Sequence, residues 1–579
     1  MIDPLRTEED GPAPAAVPEG RVVALPATVR PPHPRRAAQP ARRRVGYAGR
    51  RGPGRRPAVV ATAEPAPEPT PVVEDAPVSD RGWALPLAVL VVGMFMAVLD
   101  TDIVNVAIPM MQTQFGATTD QVQWVATAYT LALGIVVPVS GWLGDRYGLD
   151  RVYRFALIGF AAGSALCGLA WSLNILIVFR IVQAIGGGLL PAVAQALLYR
   201  MVPRHKMGTA MGFFGLGVLF APAVGPTIGG YLVQYVNWRL IFYINIPVAV
   251  LGVVAAAAVL PSSPRTSGQR FDAAGFATVA TGLFSLLLAL SEGASWGWSS
   301  YRVLILMAAG LLSLAAFVVV ELSVEQPMLD VRIFGNWGYT NSSVLMAVLI
   351  AALFAGMFYV PLFLQEGQGL GALEAGLTLL LPALITGMVM PIAGQLYDRI
   401  GARWPATIGM LLVAYGTYLI HGITLATSKG QIILWMSIRS VGLGLSIMPI
   451  ITAGMATVSS AAAGRASAMN NIIQRVASAL GLGVLTAILT SQQAQQMSDR
   501  AVLLPSVSPG FPQLQGLAAQ GQAGVLQLYS STSLQVFGTA IGDLFLLTAG
   551  LAAVGVLLAL MLPARPVASA EGRSTVLEL

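Results

Sequence analysis

Past Trp83 the chain is built of long apolar runs separated by short polar connections, and the stretch before it shows no apolar period. Fourteen runs have helical length, at approximately 84–107, 122–143, 153–172, 175–197, 208–233, 240–260, 273–291, 302–321, 339–364, 376–396, 405–425, 431–453, 466–489 and 538–562. About twenty apolar residues cross the roughly 30 Å hydrocarbon core of a bilayer as a helix, whose backbone satisfies its own hydrogen bonds there. The pattern predicts an all-α polytopic membrane protein. Late in the chain it lapses, and the Gln- and Ser-rich segment 491–535 is expected to lie outside the membrane.

Composition supports this reading. Of 579 residues 55% are hydrophobic and only 11% charged, with a mean hydropathy of +0.70, whereas a soluble domain carries about 25% charged residues. An even number of spans puts both ends on one side. The connections on that side carry Arg146, Arg151, Arg154, Arg200, Arg204, Lys206, Arg265, Arg270, Arg332, Arg399, Arg403, Arg565 and Arg573; the other side has little beyond Arg239, Arg302, Lys429 and Arg500. Basic residues accumulate on the cytoplasmic face, so both termini are expected in the cytoplasm, and the membrane is expected to be a bacterial inner (cytoplasmic) membrane. Only Lys206 and Lys429 among the 34 basic residues are lysines, a bias expected of a GC-rich bacterial genome.

Residues 1–82, rich in Pro, Ala and Arg and lacking the apolar core of a signal peptide, are expected to form a disordered cytoplasmic tail. Its arginines either enforce topology or meet anionic lipid headgroups. A second cytoplasmic tail is expected at 565–579. The net charge of +7 is spread over tail and loops rather than gathered with aromatics on one face, which excludes a nucleic-acid partner. The chain has no Gly-x-x-x-x-Gly-Lys-Ser/Thr phosphate loop, so an ATP-driven pump is excluded and an ion gradient must supply the energy. His33, His205 and His421 are scattered and Cys167 stands alone, so no enzyme, metal site or cofactor is expected.

The first span carries the most expensive residues. Leu99-Asp100-Thr101-Asp102-Ile103-Val104-Asn105 places two carboxylates and an amide in an apolar run, where each ionised carboxylate costs about 2.5 to 3.5 kcal/mol at mid-depth. At about 1.5 Å per residue they sit some 24 to 27 Å above the cytoplasmic start of the span, in its outer half. Helical spacing puts Asp102, Asn105 and Pro109 on one face and Asp100 on the other with Gly93, Val104 and Ala107. A straight helix cannot present both carboxylates to one cavity. Arg180, in span 4, needs a partner for the same reason of cost.

Two loops share a signature: Gly141-Trp142-Leu143-Gly144-Asp145-Arg146-Tyr147-Gly148 after span 2, and Gly394-Gln395-Leu396-Tyr397-Asp398-Arg399-Ile400-Gly401 after span 10. This Gly-x-Leu-x-Asp-Arg-x-Gly pattern resembles the signature loop of the major facilitator superfamily. Arg180, followed by Gln183 and Gly186-Gly187-Gly188, is similar to that family's intramembrane arginine with its Gly-rich face, and Arg439-Ser440-Val441-Gly442-Leu443-Gly444 echoes it in span 12. Span 5 holds Gly217, Pro222, Gly225, Pro226, Gly229 and Gly230 in a pattern that resembles the motif of the family's antiporters. Asn237-Trp238-Arg239, Ile244-Asn245-Ile246-Pro247, Phe271-Asp272-x-x-Gly275, Tyr359-x-Pro361-Leu362-Phe363-Leu364-Gln365 and Ala372-Leu373-Glu374-Ala375-Gly376 resemble elements of its fourteen-span drug:proton antiporter branch, the EmrB/QacA type. Departures are Asp102 in place of the usual threonine, Leu149-Asp150 in place of a further basic residue, Ala184 in place of a glycine, and an inverted Gln474-Arg475 order, so Arg475 inherits no family role.

The resemblance implies a major facilitator fold: an N-terminal six-helix bundle at 83–260, a linker with two extra spans at 261–337, and a C-terminal six-helix bundle at 338–564 that includes the external segment. Proton coupling is expected of Asp100, Asp102 and Arg180: the resemblance implies Asp100 as the carboxylate, whereas helix geometry puts Asp102 on the face shared with Asn105, and the expected division has Asp100 titrating beside Arg180 and Asp102 facing the substrate route and biasing it toward cations. Substrate-path candidates are Asn105, Trp124, Tyr129, Asn245, Tyr359 and Gln365; the two signature loops would act as conformational switches, and Asp543 matches a family carboxylate. The implied function is proton-coupled export of amphipathic or cationic small molecules, with protons, substrate and lipid as partners. A specific endogenous lipid, siderophore or envelope metabolite is the alternative cargo, and a non-transporting sensor or scaffold the reading from another class. Some related exporters contact a periplasmic adaptor through a hairpin like 491–535, so an adaptor is a partner to expect in a two-membrane bacterium.

Overall fold

The computed structural model describes residues 82–263, 265, 270–459, 462–503 and 522–564, so the expected tails, apart from residue 82, lie outside the described residues. The first bundle comprises α1 (Ala84–Phe115), α2 (Thr119–Val136), α3 (Val139–Tyr147), α4 (Leu149–Leu169), α5 (Leu173–Met201), α6 (Met207–Tyr235), α7 (Leu240–Tyr243) and α8 (Asn245–Val259). Two further helices follow, α9 (Ala273–Trp296) and α10 (Tyr301–Ser323). The second bundle comprises α11 (Trp337–Leu362), α12 (Ala372–Ile400), α13 (Arg403–His421), α14 (Lys429–Ala456), α15 (Ala463–Leu503) and α16 (Gln522–Leu560).

Among the described residues eleven helices are long and apolar enough to cross a membrane, counting α7 with α8 as one, and α2 with α3 makes a twelfth bent by 53°. The bend falls at Pro138, which lacks the N–H that a continuous helix would use. The run read as span 2 is therefore two helices. The 29-residue α6 lies along α1 and α12, and the 19-residue α13 along α14 and α16, an arrangement compatible with fourteen crossings.

Helix ends follow local chemistry. Gly116, at φ 60°, closes α1, and the Thr118 and Gln121 side chains cap α2 reciprocally. Span 1 was expected to end near residue 107; α1 runs on through Pro109 to Phe115 and is closed by that glycine. Asp100 and Asp102 consequently lie at the middle of their helix and not near its end. The segment 491–535 is helical where it is described: α15 continues to Leu503, α16 begins at Gln522, and Gln496 Nε2 reaches Asp543 Oδ2 at 3.0 Å between them. Residues 504–521 lie outside the described residues.

The end of the bundle at which α1 begins, the tail side, also holds the end of α3, the starts of α4, α6 and α15, and the end of α12. Tyr153 Oη donates to Val89 O there, and Arg403 N to Pro563 O brings in the far end of α16. The extra pair packs at the flank, α9 against α2 and α15, and α10 against α9, with Gly282 seated on Leu314 and Gly310 on Leu286. Much of the outward face of α10 is apolar and exposed, at Leu304, Ile305, Leu311, Leu312 and Val319, as suits a helix facing lipid.

Candidate functional site

Asp100 is fully buried and receives a hydrogen bond from each of three side chains. Arg180 Nη1 on α5 donates to its Oδ2 at 2.6 Å. Gln183 Nε2, one turn along α5, donates to Oδ1 at 2.9 Å, and Asn245 Nδ2, the first residue of α8, donates to the same oxygen at 2.7 Å. Asn245 also reaches Ser164 Oγ on α4 at 3.1 Å, and Ser164 in turn donates to Phe242 O at 2.8 Å. The guanidinium is held from three further directions: Gln183 Oε1 at 2.8 Å, Val125 O at 3.4 Å, and the face of the Tyr129 ring 3.7 Å from its central carbon.

Six elements thus converge on one ion pair. The approach is close because small residues stand where helices cross: a Cβ on Gly163 would lie 2.4 Å from Gln183 Cα, and one on Gly187 would lie 2.7 Å from Tyr129 Oη. Every contact to Asp100 is a donor, so the site is built for the carboxylate.

The second bundle has the arginine without the acid. Arg439 on α14 is buried against α11, where its Nη2 donates to the carbonyl of Ala352 and lies 3.3 Å from that of Leu353. Leu353 stands as far along α11 as Asp100 stands along α1. The pseudo-equivalent positions therefore hold an acid in one half and a leucine in the other, and backbone carbonyls replace the missing carboxylate.

Asp102 sits on the other side of α1, half-buried against α6, where a Cβ on Gly225 would come 3.6 Å from its own Cβ. Gly217 and Gly229 continue the seam against Val91 and Ile103, whereas Gly230 meets nothing; α6 is helical through positions 222 and 226. Asn105 is exposed one turn beyond Asp102, and Gln365 is exposed in the π-helical turn Phe363–Gly367. The other substrate-path candidates lie among packed helices. Tyr129 and Asn245 belong to the Asp100 network, Tyr359 is buried with its hydroxyl 2.7 Å from Thr486 Oγ1, and Trp124 packs in an apolar cluster with α9 and α15.

The signature loops lie on the tail side and bind one bundle to the other. Asp145 pairs with Arg200 on α5 at 3.3 Å and with Arg465 at the start of α15 at 3.7 Å, and a Cβ on Gly141 would lie 3.1 Å from Arg465 Cα. Arg146 lies over the rings of Trp142 and Tyr147, and Gly148 takes φ 90° to turn the chain into α4. Asp398 accepts from Gly208 N at 2.7 Å, Thr209 N at 2.8 Å and Thr209 Oγ1 at 2.6 Å, capping the start of α6 with a carboxylate from α12. Arg399 is exposed in the last turn of α12, and Gly401, at φ 81°, ends that helix. Backbones meet where α6 crosses α12: a Cβ on Gly394 would lie 2.0 Å from Gly208 O, and one on Gly208 would lie 2.3 Å from Gly394 O. Between another pair of helices, Gln195 of α5 meets Ser467 Oγ at 2.9 Å and Asn471 Nδ2 at 3.2 Å on α15.

Sequence reasoning missed Ser164, Gln195 and Asn471 as members of these networks, and treated Gln183 only as part of a motif. Their signal was a polar residue standing among small ones in an apolar run, which marks a helix crossing but not its partner.

Residues 90–482 match the family model described as Major Facilitator Superfamily. Among curated proteins, the uncharacterized MFS-type transporter YhcA of Bacillus subtilis (strain 168) is 34% identical over 73% of this chain and 80% of its own length. The multidrug transporter protein MdtP of the same organism is 33% identical over 76% of this chain and 82% of its own. Among solved structures, a double-Trp mutant of XylE superposes with a TM-score of 0.53 at 16% identity, covering 83% of this chain and 96% of that one, a likeness of fold alone.

Proposed function

The chain belongs to the major facilitator superfamily, and from that membership we propose that it is a proton-coupled antiporter exporting amphipathic or cationic small molecules from the cytoplasm across a bacterial inner membrane. The observation that carries this reading is the buried Asp100–Arg180 pair, a single carboxylate held by donors only. Naming of the relative MdtP as a multidrug transporter supports the cargo class.

With the tail side as the cytoplasmic face, the conformation is one closed toward the cytoplasm by Asp398, Asp145 and the Gly208–Gly394 crossing. A proton arriving from the outer side at Asp100 removes the charge that holds Arg180, Gln183 and Asn245. The contacts of α1 with α5 and α8 then weaken together, and the two bundles rock about their interface to open the tail side. Cargo entering from the cytoplasm meets Asp102 and Asn105 on the opposite face of α1; reformation of the ion pair on proton release inward resets the carrier. Both carboxylates act on one helix without sharing a cavity. The extensions of α15 and α16 past their apolar runs are where an adaptor would dock in a two-membrane bacterium.

The test is substrate-driven proton movement in proteoliposomes of the full chain. For the cargo side, Asp102→Thr is expected to lower export of a monovalent cationic dye about tenfold, the loss of one partly desolvated charge contact of roughly 1.4 kcal/mol, while a neutral amphiphile is exported as before. Equal export of the cationic dye by Asp102→Thr would remove Asp102 from the route.

A further inference from the structure

A groove of about 490 Å³ opens on the outer surface of the first bundle, between α4 and α5, with the end of α3 at its tail-side mouth. Its walls are apolar: Val152, Phe155, Gly159 and Ala162 come from α4, Ile185 from α5 and Tyr147 from α3. Tyr147, Phe155 and Ile185 are exposed, so the groove faces lipid and not the interior of the bundle. Gly159 keeps it open, since a Cβ there would meet nothing within 4 Å. From Val152 to Ala162 the groove follows α4 for about 15 Å at the helical rise of about 1.5 Å per residue. That is half of the roughly 30 Å hydrocarbon core, the depth of one leaflet.

The mouth is basic. Arg151 stands one turn before Phe155 on the same face of α4, exposed and without an ion pair among the described residues. The Arg146 guanidinium lies over the ring of Tyr147, 5.7 Å from its centroid. The acids at this end are already matched, Asp150 by Arg154 at 2.9 Å and Asp145 by Arg200 and Arg465. An unopposed cation at the head of an apolar channel one leaflet deep is the complement of a molecule with an anionic head and a long tail. We propose that the groove binds an acidic phospholipid of the tail-side leaflet, with one acyl chain along α4 from Val152 to Ala162 and the phosphate against Arg151. The planar guanidinium meets a phosphate through two parallel hydrogen bonds. Basic pockets between membrane helices on the cytoplasmic side recognise acidic headgroups in this way. A cationic cargo is repelled at such a mouth, and a zwitterionic lipid gains less from it. The site does not depend on what the carrier exports.

Native mass spectrometry of the full chain in detergent, titrated with phosphatidylglycerol or with phosphatidylcholine of the same acyl chains, gives the dissociation constant of the first lipid bound. The unmodified protein is expected to hold phosphatidylglycerol about fivefold more tightly, the worth of one arginine at a charged headgroup. Arg151→Gln is expected to abolish that preference while phosphatidylcholine binds as before, and Arg151→Lys to retain it. Gly159→Leu fills the groove and is expected to cost the first bound lipid of both kinds. No preference in the unmodified protein, a preference that survives Arg151→Gln, or parent-like binding of both lipids by Gly159→Leu would each overturn the site. Displacement of the bound phosphatidylglycerol by the cationic dye rhodamine 6G would also overturn it, because the groove would then belong to the cargo.

Discussion

Asp100→Asn is expected to reduce substrate-driven proton movement to the background of empty vesicles while the protein still folds. The asparagine has the shape of the acid and keeps a carbonyl oxygen for Asn245 or Gln183, but it takes up no proton. Both Asp100→Asn and Asp100→Ala leave the Arg180 charge buried without a counterion, a loss of about 3 to 5 kcal/mol, but Asp100→Ala also removes the acceptor of three hydrogen bonds, so its thermal transition in detergent should fall clearly below that of Asp100→Asn. Combining Asp100→Asn with Arg180→Gln removes both charges at once. That variant should regain stability and still move no protons, which separates coupling from folding. Internal pH reported by a trapped dye is the measurement; proton movement at the unmodified rate in Asp100→Asn would remove this residue from the coupling path.

Gly394→Ala is expected to unlock the tail side. The added Cβ would lie 2.0 Å from Gly208 O, a backbone atom that no rotamer change can move aside. Overpacking of this kind costs about 1 to 3 kcal/mol, and because the clash exists only while α6 and α12 are crossed, the cost falls on the closed conformation. A shift of about 2 kcal/mol moves the balance between conformations roughly thirtyfold. Asn470, buried on α15 beside Gln195, reports it: a cysteine there should be protected from a membrane-impermeant maleimide in the parent and labelled from the cytoplasmic side in Gly394→Ala. The native Cys167 is fully buried and gives little background. Gly159→Ala, where an added Cβ meets nothing within 4 Å, is the control and should label like the parent. Equal protection in both would show that the glycine crossing does not hold the gate.

Much of the architecture was legible in the chain because lipid imposes a simple rule. A segment that crosses must be apolar for about twenty residues and helical throughout, so the runs declare themselves, and the repeated Gly-x-Leu-x-Asp-Arg-x-Gly loop shows that the chain is built twice over. Where the rule is silent, the reading slipped: the run at 122–143 concealed the bend at Pro138, and the end of α1 was set by Gly116 rather than by the fading of apolar character.

The candidate site divides in the same way. Helical period alone determined that Asp100 and Asp102 face opposite sides of α1, and cost alone determined that Arg180 must have a partner. The resemblance put Asp100 beside Arg180; only the tertiary structure showed that Gln183 and Asn245 also donate to Asp100, that Ser164 stands behind Asn245, and that the Tyr129 ring lies against the guanidinium. Those side chains come from helices up to 145 positions apart in the sequence, and a period fixes which face a residue occupies without saying what that face will meet. Arg475 shows the limit most plainly. In the sequence it is a motif with two letters exchanged; in the fold its Nε is shielded from solvent with no hydrogen-bond partner among the described residues, because whether a cation has found its counterion is a property of neighbours in space.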